Sequence, residues 1–190
     1  MVSNNPIAGI DEVGRGPWAG PVVACALVLH RDVPGLADSK TLSARTRARL
    51  TEALRRPGVA SFAIGVASVT EIDRLNVRAA TFLAMRRAVA RLPVRPLRVL
   101  VDGRDAPDLG VPTGAVVGGD GKVRAIAAAS IVAKTFRDAL MLRLDARWPG
   151  YGWATNVGYG TPAHALALDR LGVTPHHRRS FAPVRRRLEG

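Results

Sequence analysis

Four acids stand where short apolar runs end. Asp11 and Glu12 lie near the end of the run from Ile7 to Val13, Asp102 follows the run from Leu97 to Val101, and Asp120 follows Ala115, Val116 and Val117 after two glycines. Acids at the carboxyl ends of strands are where an α/β sheet places functional groups. Adjacent carboxylates on an apolar strand are costly unless a cation neutralises them. If these runs are neighbouring strands, their ends form a self-repelling cluster that binding of cations would relieve. The histidines His30, His164, His176 and His177 are scattered, and no Cys/His set has zinc spacing. An all-oxygen site points to Mg²⁺ or Mn²⁺, and two such ions about 4 Å apart would support in-line attack of water on a phosphodiester. Asp105 and Asp108 compete with Asp102 for this role, and Asp102 and Asp120 also fit as loop caps. Consecutive strand residues point to opposite faces, so Asp11 and Glu12 share a site only if the strand ends or bulges there, or if Glu12 coordinates partly through backbone or water. Asp11 is the safer ligand.

Directly after the first acids comes Gly14-Arg15-Gly16-Pro17. Glycines flanking an arginine let backbone N–H groups approach a ligand closely. The net charge is +13 and the pI near 11.5, which favours a polyanionic partner such as nucleic acid; an arginine-rich surface would give the same balance. Of 28 basic residues only Lys40, Lys122 and Lys134 are lysine. A chain that uses arginine almost everywhere has kept a compact, mobile ammonium at three places, suited to single phosphate or carboxylate oxygens.

At 190 residues, 47% hydrophobic, the chain can bury a full core as a single domain, 1–190. Residues 1–150 are expected to form a sheet-and-helix core and 151–190 a C-terminal helical extension. The longest apolar run, Val22 to Leu29, is too short to span a membrane. The first residues lack the pattern of a signal peptide, and the single Cys25 excludes an internal disulfide. A cytoplasmic monomer is expected.

The elements that must carry these residues follow from periodicity and punctuation. Ile7 to Val13 and Val22 to Leu29 predict neighbouring antiparallel strands joined by a glycine-rich connection. Asp38-Ser39-Lys40 leads to Ser43, the expected N-cap of a helix of about a dozen residues ended by Pro57-Gly58. A third strand is predicted over Val59 to Val69, then a helix capped by Thr70, with Asn76 as an interruption before an amphipathic helix from Arg78 to Arg91. Two short strands carry Asp102 and Asp120. Val123 to Trp148 predicts the longest helix, with a first half small or apolar on every side, as for a buried helix. Ser130, Lys134 and Asp138 form one polar line on it, which fits an internal Lys134–Asp138 ion pair as well as a substrate contact. Thr161-Pro162 opens a helix to about Leu171, and the tail carries Arg178, Arg179, Arg185, Arg186 and Arg187.

The stretch from Gly9 to Gly20, GIDEVGRGPWAG, resembles the opening motif of type 2 ribonuclease H (ribonuclease HII). Further segments fit in order: Asp38-Ser39-Lys40, Ile72-Asp73-Arg74-Leu75-Asn76, Val101-Asp102-Gly103, Gly119-Asp120 with Lys122, Ala127 to Lys134 with Arg137-Asp138, Gly158-Tyr159-Gly160-Thr161 with His164, and His177 to Phe181. The resemblance implies a ribonuclease H-like α/β fold, a mixed five-stranded sheet flanked by helices with a C-terminal helical segment. It implies cleavage of the RNA strand of RNA–DNA hybrids, and cleavage 5′ to single ribonucleotides embedded in duplex DNA, leaving 3′-hydroxyl and 5′-phosphate ends. Asp11, Glu12, Asp102 and Asp120 match the family's metal-binding acids. Gly14, Arg15 and Gly16 match its ribose-sensing loop, and Tyr159 the tyrosine that packs on the neighbouring sugar. Only a 2′-hydroxyl marks one ribonucleotide among deoxyribonucleotides, so its sensor must come close. Lys40 and Lys122 would neutralise phosphates and make binding salt-sensitive. The chain departs from the family at Val157, where lysine is frequent, and at Thr135-Phe136; no sliding-clamp peptide is evident at its end. The residues taken without the resemblance also fit a DNA resolvase on the same fold, or a non-catalytic nucleic-acid binder.

Overall fold

The computed structural model describes residues 6–37 and 39–189; Asp38 of the Asp38-Ser39-Lys40 segment lies outside the described residues. In chain order the elements are β1 (Ile7–Val13), β2 (Val22–Leu29), α1 (Ala44–Arg55), β3 (Ala60–Ala67), α2 (Val69–Leu75), α3 (Val77–Ala90), β4 (Arg98–Asp102), β5 (Thr113–Val116), α4 (Arg124–Arg147), α5 (Trp153–Asn156), α6 (Pro162–Leu171) and α7 (Ala182–Glu189). The strands form one mixed sheet in the order β3-β2-β1-β4-β5. β1 pairs antiparallel with β2 and parallel with β4, so it occupies the centre. β3 extends the antiparallel side and β5 the parallel side.

Strand alternation sorts the core into two layers. Ala8 and Ile10 of β1 and Val99 and Val101 of β4 face α3, where they meet Ala80, Ala84, Met85 and Ala88. Val23, Cys25 and Leu27 of β2 face the other way, onto Ala127 to Ala133 of α4 and Leu50 and Leu54 of α1. A third cluster, including Met141, Trp153, Leu168 and Val184, binds the C-terminal helices to the distal part of α4 and to Ala19. No helix among the described residues is long and apolar enough to cross a membrane.

Several boundaries differ from expectation. The third strand stops at Ala67 because Ser68, not Thr70, caps the next helix. Ser68 Oγ accepts the Glu71 amide at 3.2 Å, and the Glu71 carboxylate accepts the Ser68 amide at 2.9 Å. This reciprocal capping box satisfies two donors at the helix start. Asn76 does interrupt: at φ 69° it ends α2, and its side chain accepts the Arg78 and Ala79 amides to begin α3. Ser43 and Thr161 cap α1 and α6 as expected. The short α5 carries too little periodicity to be read from sequence. Asp120 lies in a single 3-10 turn, Gly119–Gly121, beyond β5.

Two strand glycines set the spacing of the layers. A Cβ on Gly9 of β1 would lie 2.3 Å from the backbone of Ala125 and Ile126 in α4, and one on Gly65 of β3 would lie 1.9 Å from the Ala84 carbonyl in α3. Both obstacles are main chain, so a rotamer change cannot relieve them. Gly9→Ala should therefore push α4 off the central strand and cost about 3 kcal/mol, read as a lowered urea midpoint. An unchanged midpoint would contradict this packing.

Candidate active site

The pairing register brings the first two acids together. Ile10 pairs with Val101 across the parallel β1–β4 ladder, so Asp11 and Asp102 stand one residue beyond it, on the α4 face. Gly119 folds the 3-10 turn back toward them, its amide donating to Asp102 Oδ1 at 2.6 Å. One carboxylate oxygen from each of Asp11, Asp102 and Asp120 lies within 4.8 Å of the others. Asp11 is buried, while Asp102 and Asp120 are half-buried.

Burial first, and then the charge of Glu12, raise the Asp11 carboxyl to about 7; the Asp102 charge adds to this, and a hydrogen bond from Ser130 opposes it. The Ser130 hydroxyl is itself 2.7 Å from that of Ser39. Asp11 also accepts the Glu12 amide at 2.7 Å. Three carboxylates so close suit a hard divalent cation bound by oxygen. Asp11, Asp102 and Asp120 are the side chains that would hold it.

Glu12 lies elsewhere. β1 continues without a bulge through Glu12–Ala24 and Val13–Val23 pairing, so alternation turns Glu12 to the α3 face. There it accepts Arg15 Nη1 at 3.3 Å and lines a cleft of about 260 Å³ with Arg78, Phe82, Met85 and Asp102. Burial raises the Glu12 carboxyl, Arg15 opposes the rise, and the nearby Asp102 charge adds to it. The acids thus divide into a triad on one face and Glu12 on the other, with Asp102 near both.

The glycine bend and Tyr159 meet although 143 residues separate Gly16 from Tyr159. A Cβ on Gly16 would lie 3.3 Å from the Tyr159 ring, and one on Gly160 would overlap Trp18. Trp18 donates its amide to the Gly158 carbonyl at 2.8 Å, and Arg178 donates its amide to the Trp18 carbonyl at 2.8 Å. Tyr159 itself is 47% exposed, open to a ligand. Its carbonyl ends a directional chain. The Thr174 amide donates to His177 Nδ1 at 3.0 Å, which places the His177 proton on Nε2. That proton goes to His164 Nε2 at 3.0 Å, leaving His164 Nδ1–H to donate to Tyr159 O at 2.9 Å. Burial pushes the His177 imidazole down to about 3, with the neighbouring His164 and His176 acting the same way, so the chain stays neutral.

Lys122 and Lys40 are both exposed. Lys122 donates to the Val117 carbonyl at 2.7 Å and, with Asp120 and Arg124, borders a groove of about 230 Å³. Lys134 pairs with Asp138 at 2.7 Å, and Arg47 reaches the same carboxylate at 3.2 Å; of the two readings of that polar line, the ion pair is present, bridging α1 and α4. Ser130, the third member, instead serves Asp11. Sequence reasoning gave Ser39, Arg137 and Arg178 no role in the site. The family resemblance passes through all three, but a resemblance gives no contacts.

A family model described as Ribonuclease HII matches residues 8–184. The chain is 57% identical over 187 residues to the ribonuclease HII of Halorhodospira halophila, covering 97% of this chain and 95% of that protein.

The chain belongs to the ribonuclease HII family.

Its fold superimposes on the crystal structure of ribonuclease H2 from Pyrococcus horikoshii with a TM-score of 0.82 at 24% identity, covering 96% of this chain and 97% of that one. It is also similar to Bst-RNase HIII in complex with Mn²⁺, with a TM-score of 0.74 at 20% identity, covering 100% of this chain and 71% of that one. Membership makes the protein a metal-dependent ribonuclease H, a hydrolase of phosphodiester bonds. The resolvase and the non-catalytic binder are thereby set aside.

The raised Asp11 carboxyl has a consequence in the metal-free protein. At pH 4 and below, folded and unfolded chains both carry the proton. Between pH 4 and about 7 the unfolded chain ionises while the folded one holds its proton, so stability falls as pH rises, then levels off. Asp11→Asn should remove this loss, leaving the metal-free variant on the order of 2 kcal/mol more stable than wild type at pH 8 and little different at pH 4. Urea unfolding in EDTA at the two pH values measures it; a variant no more stable at pH 8 would contradict the assigned cost.

Proposed function

We propose that this protein cuts the RNA strand of RNA–DNA hybrids and also incises duplex DNA on the 5′ side of single embedded ribonucleotides, leaving 3′-hydroxyl and 5′-phosphate ends. Ribonuclease H activity on hybrids follows from family membership; the single-ribonucleotide incision is the finer reading. The observation that supports it is the contact of Gly16 with Tyr159, in the bend that follows Asp11 of the Asp11–Asp102–Asp120 triad by a few residues. Such a site couples hydrolysis to inspection of one sugar.

The roles divide by residue. Asp11, Asp102 and Asp120 hold the divalent metal, Mg²⁺ or Mn²⁺, and Glu12 contributes from the adjoining face. A pair of such ions would supply activation of the attacking water and stabilisation of the leaving 3′-oxygen in an in-line displacement. The Mn²⁺ complex of the related Bst-RNase HIII supports the metal class. The amides of Arg15 and Gly16 read the 2′-hydroxyl, and the Tyr159 ring packs on the adjacent sugar. Lys40 and Lys122 neutralise substrate phosphates. Ribonucleotide removal from replicated DNA is the repair task that such an incision would serve.

Asp11→Asn should abolish Mg²⁺- or Mn²⁺-dependent cleavage of a duplex with one ribonucleotide, a drop of at least about 10³-fold, while the protein still folds. Retained cleavage would remove Asp11 from the site. Wild-type protein that cuts hybrids but leaves the single-ribonucleotide duplex intact would confine the activity to the coarser one.

A further inference from the structure

Two arginines are fully buried, and neither forms an ion pair among the described residues. A buried guanidinium normally requires a carboxylate or a full set of acceptors. Here the acceptors are main-chain carbonyls, all but Val157 O belonging to the loop that joins β1 to β2. Arg178 donates from Nη2 to Gly14 O and to Gly20 O at 2.8 Å, from Nη1 to Arg15 O at 2.7 Å, and from Nε to Gly20 O at 3.0 Å. Arg137 donates to Pro21 O at 3.0 Å, Ala19 O at 3.1 Å and Val157 O at 2.8 Å. Gly14, at φ 95°, lies against the Arg137 side chain, where a Cβ would come within 2.2 Å of Nε. The ring of Phe181 stacks under the Arg178 guanidinium, 5.0 Å from its carbon to the ring centroid.

The orientation of two peptide planes follows. None of the described peptide bonds is cis, and in a trans peptide the C=O and N–H point in opposite directions. With Gly14 O and Arg15 O drawn inward to Arg178, the N–H groups of Arg15 and Gly16 must point outward. Both residues are exposed, and neither amide donates a hydrogen bond within the described structure. Successive outward amides form a small concavity suited to an oxygen lone pair. A cation on each carbonyl also polarises the peptide and strengthens its N–H as a donor.

We infer that Arg178 is a positioning residue that aims the Arg15 and Gly16 amides at the ribose 2′-hydroxyl and so sets ribonucleotide selectivity without touching substrate. The inference rests on the reading of the Gly14–Gly16 bend given above. A phosphate oxygen offers the same lone pairs, and the two sources separate by experiment. Lysine in place of Arg178 keeps the charge but cannot fork to Gly14 O, Arg15 O and Gly20 O together.

The test measures binding by fluorescence anisotropy in Mg²⁺, in an Asp11→Asn background that prevents turnover. Two duplexes of one sequence are compared, one with a single ribonucleotide and one all DNA. Adding Arg178→Lys should weaken the ribonucleotide duplex about tenfold while leaving the all-DNA Kd within about twofold of its parent's. Equal weakening of both duplexes would overturn the inference in favour of a phosphate contact or a general loss of structure, and no change in either would overturn it as well. Should Arg178→Lys fail to fold, Phe181→Leu removes the supporting ring while keeping the arginine. It should show the same one-sided loss, about threefold, and a symmetric or absent loss there is equally fatal. A parent that binds both duplexes alike would instead defeat the sugar-sensing reading itself, whatever the variants do.

Discussion

A carboxylate that would rather hold its proton sits on the central strand of this sheet, and much of the architecture exists to keep it there. Asp11 lies on the buried face of β1, within reach of two other acids. Repulsion within such a group would splay flexible segments apart. Rigid attachments prevent it: Asp11 and Asp102 are fixed by a parallel ladder, and Asp120 by a turn whose Gly119 amide is tied to Asp102. Ser130 and Ser39 orient Asp11 from the α4 side. The fold thus holds a concentration of negative charge that water and self-repulsion oppose, which is the condition for tight binding of a small divalent ion at that point. Stability and function conflict at Asp11, as is common where a site must bind a charge it does not itself contain.

The sugar-reading side depends on a different economy. The glycine bend has little side-chain mass of its own, so its shape is imposed by what lies beneath. Arg178 and Arg137 reach it from the C-terminal segment and from α4, and Asp73 of α2 holds that segment by accepting the Arg179 and Ser180 amides. The histidine chain fixes Tyr159 from the same quarter. The C-terminal helices therefore act on the site through the bend and the tyrosine, and not through the acids.

Much of this was legible in the sequence, for identifiable reasons. The strands announced themselves as apolar runs, and their terminal acids and the glycine bend are chemically unusual in such runs. Cap residues Ser43 and Thr161 fixed two helix starts, whereas Ser68 was hidden because β-branched Val66 before it and Val69 and Thr70 after it prolong the strand pattern past the point where strand gives way to helix. Glu12 illustrates the limit of adjacency: alternation alone warned that it points away from Asp11, but only the unbroken β1–β2 pairing shows that no bulge brings it back. The roles of Arg137 and Arg178 were illegible because among many arginines nothing in sequence distinguishes a buried one from a solvated one. Their acceptors are main-chain atoms up to 164 positions away, which no pattern of residue types can reveal.

The central claim is that strand ends from separate parts of the chain form one binding place for divalent ions. Anomalous scattering from crystals soaked in Mn²⁺ tests it most directly. The account predicts the strongest manganese peak between the carboxylates of Asp11, Asp102 and Asp120. A strongest peak elsewhere, with those three carboxylates bound to nothing, would contradict it.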